Sequence, residues 1–150
     1  MRRTPELGLV VEDVECRVSS VALESYGGER PTSVVWLRGE GAAGRGEHVG
    51  WTSEAHAAFR SAVASVPRGR WRLAEWVAAV ARAFPHPYDR AALDAAAIDL
   101  GLRQAGTNLF RLLGVTSRPV RYVVSYGRVP DPVAEARRHP GVELKIDADP

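Results

Sequence analysis

Residues 88–114, YDRAALDAAAIDLGLRQAGTNLFRLLG, decide the fold of this chain. From Asp89 to Ala105, apolar or small side chains surround most of the helix circumference, which predicts a buried helix rather than a surface one. The many alanines allow neighbouring backbones to come close. Asn108 is suited to cap a short following helix, and Gly114 is suited to end it. We therefore predict a helical bundle built around this segment.

A strand, a helix and a strand are predicted after this segment, at 120–126, 131–138 and 142–147. Successive strands joined by a helix are parallel, so the pattern indicates the start of an α/β sheet or barrel. One such unit cannot bury both of its faces, and we expect the natural chain to continue beyond residue 150. The predicted domains are 1–114 and 115–150.

The residues before the helical segment predict three strands and two helices. The strands are expected at 10–24, 33–39 and 47–51, with a loop at 25–32 and a glycine-rich return through GEGAAGRGEH. The helices are expected from Thr52 or Ser53 to 66 and over 73–84, with breaks at 67–70 and at PHPY. The fold class is therefore α+β: a three-stranded antiparallel meander with a helical bundle, followed by one βαβ unit.

Composition excludes several functional classes. Apolar residues make up 45% of the 150 residues and the net charge is only +2, which argues against disorder and gives no support to a nucleic-acid partner. A single cysteine allows no internal disulfide, and no apolar run is long enough for a signal peptide or a membrane span. These features predict a cytoplasmic protein without a nucleic-acid or membrane partner.

Most chemically suggestive residues have a simpler structural interpretation. The four histidines show no metal-binding spacing, so we expect them to be solvated and predict no metal site: His48, His56, His86 and His139. Cys16 lies within a predicted strand and is expected to be a structural thiol. The arginines of PRGRWRL flank a tryptophan, a pattern that can grip nucleic acid, but one short loop is better explained as a solvated turn.

Lys145 is the sharpest candidate for a catalytic residue. It is the only lysine, and it lies near the carboxyl end of the second predicted parallel strand, where barrel enzymes place their active sites. A partly desolvated ammonium there could assist proton transfer or stabilise an enolate. A coding bias toward arginine is the alternative explanation of its being alone.

Three features together resemble the mandelate racemase/muconate lactonizing enzyme branch of the enolase superfamily. They are the predicted meander, the Gly44–Glu47 return and the segment AALDAAAIDLGLRQAGTNLFRLLG, in that order along the chain. The resemblance implies a capping domain that closes the mouth of a (β/α)8 barrel. It also implies removal of a proton α to a carboxylate, in a racemase, epimerase, cycloisomerase or dehydratase with Mg2+ as the cofactor and a small carboxylate as the substrate.

The resemblance also assigns site residues. Two substrate-contacting loops match 24–32 and 46–53, which makes Tyr26, Gly27, Arg30 and Trp51 the expected substrate-binding residues. Lys145 matches the first lysine of the family's Lys-x-Lys motif. Asp147 stands where the second lysine, the usual acid/base, is expected, and this departure puts two-base racemase chemistry in doubt.

The metal-binding carboxylates of the family belong to strands that these 150 residues do not contain. The chain alone is therefore expected to bind no Mg2+ and to be inactive, and the resemblance leaves a homo-oligomeric parent open. The alternative is a stand-alone, non-catalytic binding module with a capping-domain-like fold. A reading frame that continues past Pro150 would favour the enzyme.

Overall fold

The computed structural model describes residues 6–23, 28–127 and 129–146. The chain divides into two compact units, Met1–Val115 and Thr116–Pro150. The strands of the first unit are β1 (Gly8–Val11), β2 (Asp13–Leu23), β3 (Gly28–Gly39), β4 (Ala42–His48) and β5 (Gly69–Arg72). Its helices are α1 (Ser53–Ala62), a 3-10 turn (Val63–Ser65), α2 (Leu73–Ala83), α3 (Pro87–Gln104) and α4 (Leu109–Leu113).

The predicted three-stranded antiparallel meander is confirmed as the sheet β2-β3-β4. The loop predicted at 25–32 is wrong over its second half, because β3 already begins at Gly28, opposite Leu23. Pro31 is tolerated there since β4 pairs with β3 only from Ser33 onward, which leaves the outer part of β3 with one free edge.

The glycine-rich segment is itself a strand, so the prediction of a return followed by a strand at 47–51 is wrong. Only Glu40 and Gly41 form the turn, with positive φ angles of 48° and 73°. The glycines of β4 serve helix packing instead. A Cβ atom would lie 2.2 Å from backbone atoms of α3 at Gly44, and 1.9 Å from one at Gly46. The helix therefore packs directly on the strand backbone.

Helix α3 is buried in the first unit, as the sequence predicted. The residues that it buries completely are Ala92, Leu93, Ala96, Ala97 and Leu100. Its start differs from the prediction because Pro87 occupies the first turn, where the missing N–H costs nothing, and the His86 ring caps Tyr88 N at 3.3 Å. At its other end, Gln104 forms hydrogen bonds with both backbone groups of Val10 and with Gly39 O, all at 2.9 Å.

The predicted first strand is split at Glu12, and its first part pairs elsewhere. β1 pairs antiparallel with β5 in a separate two-stranded sheet, so the turn predicted for PRGRWRL is wrong over its second half. Trp71 packs against the core. Arg70 forms an ion pair with Glu40 at 2.7 Å, and Arg72 forms one with Glu6 at 3.1 Å.

The second unit contains β6 (Val123–Gly127), α5 (Pro132–Arg138) and β7 (Glu143–Ile146). The two strands are parallel, with Val123 opposite Glu143 and Ser125 opposite Lys145, as the strand-helix-strand pattern predicted. A barrel around this unit stays a prediction. Within the described residues, no helix has the length and apolar character needed to span a membrane.

Candidate functional site

Two of the predicted substrate-binding residues meet at the outer end of the sheet. Arg30 lies on β3 and Trp51 follows β4, and the guanidinium carbon of Arg30 lies 5.1 Å from the centre of the Trp51 ring. The register places the two residues near each other, because Ser33 pairs with His48, and Arg30 precedes Ser33 by three positions while Trp51 follows His48 by three. Trp51 is 74% exposed, so the pair is accessible from solvent.

The other two predicted substrate residues, Tyr26 and Gly27, lie outside the described residues, and so does Asp147. Lys145 is described and lies on β7. It is exposed together with Glu143, whereas Leu144 and Ile146 on the opposite face are half-buried, which agrees with the predicted alternation. The roles of all these residues in binding or catalysis stay predictions.

A buried polar cluster surrounds Gly50, the residue before Trp51, and it was not predicted from the sequence. His48 and His56 are only 1% and 0% exposed, so the prediction of solvated histidines is wrong for both. His48 Nε2 lies 2.9 Å from Asp89 Oδ1, and Gly50 N donates to His48 Nδ1 at 3.3 Å. Both ring nitrogens of His48 therefore have partners, which makes the burial tolerable.

His56 completes the cluster from helix α1, whose N-terminus Thr52 caps by accepting from Ala55 N. The Nε2 atom of His56 lies 3.0 Å from Gly50 O, and its Nδ1 atom lies 2.7 Å from Ser33 Oγ. A carbonyl only accepts, so Nε2 donates and Nδ1 accepts from the serine hydroxyl. The backbone N–H and C=O of Gly50 are thus held by two different histidines.

Packing and burial keep His48 neutral. Burial lowers the pKa of His48 below its ordinary value of 6.5, and the hydrogen bond to Asp89 opposes this only in part. The ring stacks on Phe59 at 4.7 Å between centroids, and the His56 ring meets its edge at 4.8 Å. The neutral ring donates from Nε2 to Asp89 and accepts at Nδ1 from Gly50.

One group of described residues could be considered as a metal site. Potential ligand atoms of His48, His86 and Asp89 all lie within 4.8 Å of one another. Binding through Nε2 would place a proton on His48 Nδ1, where it would face the N–H of Gly50. Two imidazoles and one carboxylate also differ from the oxygen ligands that Mg2+ prefers. The group does not fit the Mg2+ implied by the resemblance, and we assign it to the hydrogen-bonded cluster.

Burial raises the pKa of two other titratable groups in the first unit. Burial raises the pKa of the Cys16 thiol, which packs against the core as the predicted structural thiol. Burial also raises the pKa of Asp94 on α3, against the opposing charge of Arg90. No described residue forms a hydrogen bond with the buried Oδ1 atom of Asp94.

Comparison with solved structures shows the fold. The chain is similar to a muconate cycloisomerase from Azorhizobium caulinodans, with 21% identity and a TM-score of 0.69 over 93% of this chain and 42% of that one. It is also similar to an L-Ala-D/L-Glu epimerase, with 21% identity and a TM-score of 0.66 over 95% of this chain and 46% of that one. The chain spans less than half the length of either of these two proteins.

The sequence comparisons are more limited. No curated protein matches the chain significantly. Residues 2–112 match the family model described as a domain of unknown function (DUF8230), N-terminal domain. That match covers most of the first unit, from the residues before β1 through nearly all of α4. The chain therefore belongs to the DUF8230 family, with its N-terminal domain at residues 2–112.

Proposed function

We propose that this chain is the N-terminal part of an enolase-superfamily enzyme that removes a proton α to the carboxylate of a small acid. Its fold is shared with a cycloisomerase and an epimerase, and it corresponds to less than half of each. Residues 1–114 act as the capping domain in this proposal, and 115–150 begin a barrel. The substrate is a small carboxylate.

The observation that carries the proposal is the contact between Arg30 and Trp51. Each residue comes from one of the two segments that the resemblance expected to contact substrate, and the two side chains are in contact, with Trp51 exposed to solvent. Arg30 forms no ion pair with any described residue, so its guanidinium is available for a carboxylate. Trp51 supplies a flat apolar surface beside that charge.

Lys145 has the second role in the proposal. Its ammonium stabilises the enediolate electrostatically as negative charge develops on the substrate, and preorganised contacts of this kind lower a barrier by about 3–4 kcal/mol. Asp147 accepts or donates the proton only if burial raises its pKa. Mg2+ in the parent would supply further stabilisation of that charge, through carboxylates outside these 150 residues.

The test uses the natural protein that contains this chain. Exchange of the α-proton is followed by NMR in D2O with Mg2+ and a panel of small carboxylates. We expect Lys145→Met to slow exchange by about 10²-fold, and Arg30→Met to raise KM more than it lowers kcat. Arg82→Met is the matched control, because Arg82 lies near the end of α2 and forms no ion pair with any described residue.

Exchange that is unaffected by Lys145→Met would refute the role of the lysine. Saturable binding of a carboxylate without any exchange in the wild-type protein would instead favour the non-catalytic binding module.

A further inference from the structure

Gly50 is the buried residue of the segment between β4 and α1. The side chains on either side of Gly50 point to solvent, with Val49 39% and Trp51 74% exposed, whereas Gly50 is buried between them. The N–H of Gly50 donates to His48, and its C=O accepts from His56. The position of Trp51 therefore depends on how firmly the two histidines hold the preceding glycine.

The contact with Gly50 is tight as well as polar. A Cβ atom at Gly50 would lie 2.6 Å from His48 Cε1 and 3.3 Å from Ala55 Cβ, so the His48 ring rests directly on the backbone. Each histidine is in turn held by a different element: His48 by Asp89 on α3, and His56 by its place on α1. Three separate elements thus fix the two peptide groups that flank the Gly50 Cα atom.

The two histidines have complementary functions toward these two peptide groups. A neutral imidazole offers one donor and one acceptor. His48 uses its acceptor for Gly50 and its donor for Asp89, whereas His56 uses its donor for Gly50 and its acceptor for Ser33. Apolar side chains of similar volume would fill the same space without the cost of burying polar groups. What the histidines add is a defined orientation of the two peptide groups on either side of Gly50.

We infer that His48 and His56 are positioning residues that fix Gly50 and so hold Trp51 against Arg30. In this role the two histidines act through the backbone of Gly50 and not through direct contact with Arg30 or Trp51. The importance of this for substrate recognition rests on the proposed function; the positioning itself does not. A Trp51 ring fixed in advance loses less freedom when a ligand binds.

The test measures position directly in the 150-residue chain. The indole 1H–15N resonance of Trp51 is assigned by its loss in Trp51→Phe, and amide exchange is measured at Gly50. His48→Phe keeps an aromatic ring against Phe59 and removes both hydrogen bonds. We expect exchange at Gly50 to rise by about tenfold, and the Trp51 resonance to move toward its position in Arg30→Met.

Matched variants separate positioning from other roles. Asp89→Asn keeps a carbonyl oxygen for His48 Nε2 and should leave both signals near the wild type, whereas Asp89→Leu should reproduce His48→Phe. His86→Ala is the control, because it removes a neighbouring histidine that contacts Asp89 and Tyr88 but not Gly50. If His48→Phe does not fold, Ser33→Ala removes only the hydroxyl behind His56 and should raise exchange at Gly50 about threefold.

Wild-type values of both signals in His48→Phe, or in Ser33→Ala where that variant replaces it, would overturn the inference. A Zn2+-dependent shift of the His48 resonances that Asp89→Asn abolishes would also overturn it, in favour of a metal site. Failure of the proposed function is distinguishable, because it removes substrate turnover in the wild-type parent and leaves the Gly50 and Trp51 signals unchanged.

Discussion

Replacement of Gly46 by alanine tests the packing on which the first unit is built. The new Cβ atom would lie 1.9 Å from Ala92 O and 3.0 Å from Ala96 N, and backbone atoms of a buried helix cannot turn aside as a side chain can. Ordinary van der Waals contact begins near 3.4 Å, so α3 and β4 would have to separate by about 1.5 Å.

The cost in stability follows from the packing contacts that this separation weakens. A gap of 0.5–1 Å already forfeits about a quarter to a half of the dispersion energy of each contact. The loosened interface includes Ala92, Ala96 and Leu100, which are completely buried. Overpacking of a core costs about 1–3 kcal/mol where side chains can adjust. We therefore expect the free energy of unfolding to fall by about 3–4 kcal/mol, because here only backbone can move.

Urea unfolding followed by circular dichroism is the assay, with the midpoint and the m-value fitted separately. Gly28→Ala is the matched control: Gly28 also lies in a strand of the same sheet, and nothing lies within 4 Å of a Cβ atom there. Its free energy of unfolding should change by less than about 0.5 kcal/mol. A Gly46→Ala protein as stable as Gly28→Ala would refute the argument that α3 needs bare backbone on β4.

Three further predictions concern single side chains. Burial lowers the pKa of His48 below 6.5 in the native state, so below that pH the unfolded chain binds a proton that the native state does not bind. The free energy of unfolding should therefore decrease as the pH falls below 6.5. Urea unfolding between pH 7.5 and 5.5 should show this slope, and His48→Gln should flatten it. Asp94→Ala should raise the melting temperature at pH 7 by the equivalent of about 1 kcal/mol. The reason is that it removes a carboxylate whose buried oxygen has no described hydrogen-bond partner. A lower melting temperature would contradict this. Gln104→Leu should lower the free energy of unfolding by about 2–3 kcal/mol in urea titrations, since it leaves backbone groups of Val10 and Gly39 without their hydrogen bonds. A loss below about 1 kcal/mol would refute the importance of these hydrogen bonds.

The sequence was informative wherever one periodicity dominated a segment. The all-round apolar pattern of 89–105 predicted the buried helix α3. The succession of predicted strands and loops indicated the meander, and the strand-helix-strand pattern after residue 120 predicted the parallel pair β6 and β7. It failed at glycines, since local rules treat them as turn formers. Gly44 and Gly46 are in a strand because a helix approaches their backbone, and that reason lies about 50 residues further along the chain.

The candidate site shows the same division between local and distant information. Arg30 and Trp51 were predicted from the family resemblance, and the structure brings them together. The burial of His48 and His56 was missed, because their partners come from three other elements. One signal was present: His48 alternates with Gly44 and Gly46, which marks it as facing inward, and His56 precedes Phe59 at helical spacing.

The hydrogen bonds of Gln104 join two parts of the chain that are 94 positions apart. Strand β1 pairs with β5. Its only other hydrogen bonds with described residues are those with Gln104 on α3. During synthesis on the ribosome, β1 is made before β5 and α3 and must wait for these partners. We expect Leu9 and Val11, which are buried in the finished fold, to be exposed throughout that interval. The nascent chain should then present an unpaired apolar strand, which is the kind of segment that chaperones bind.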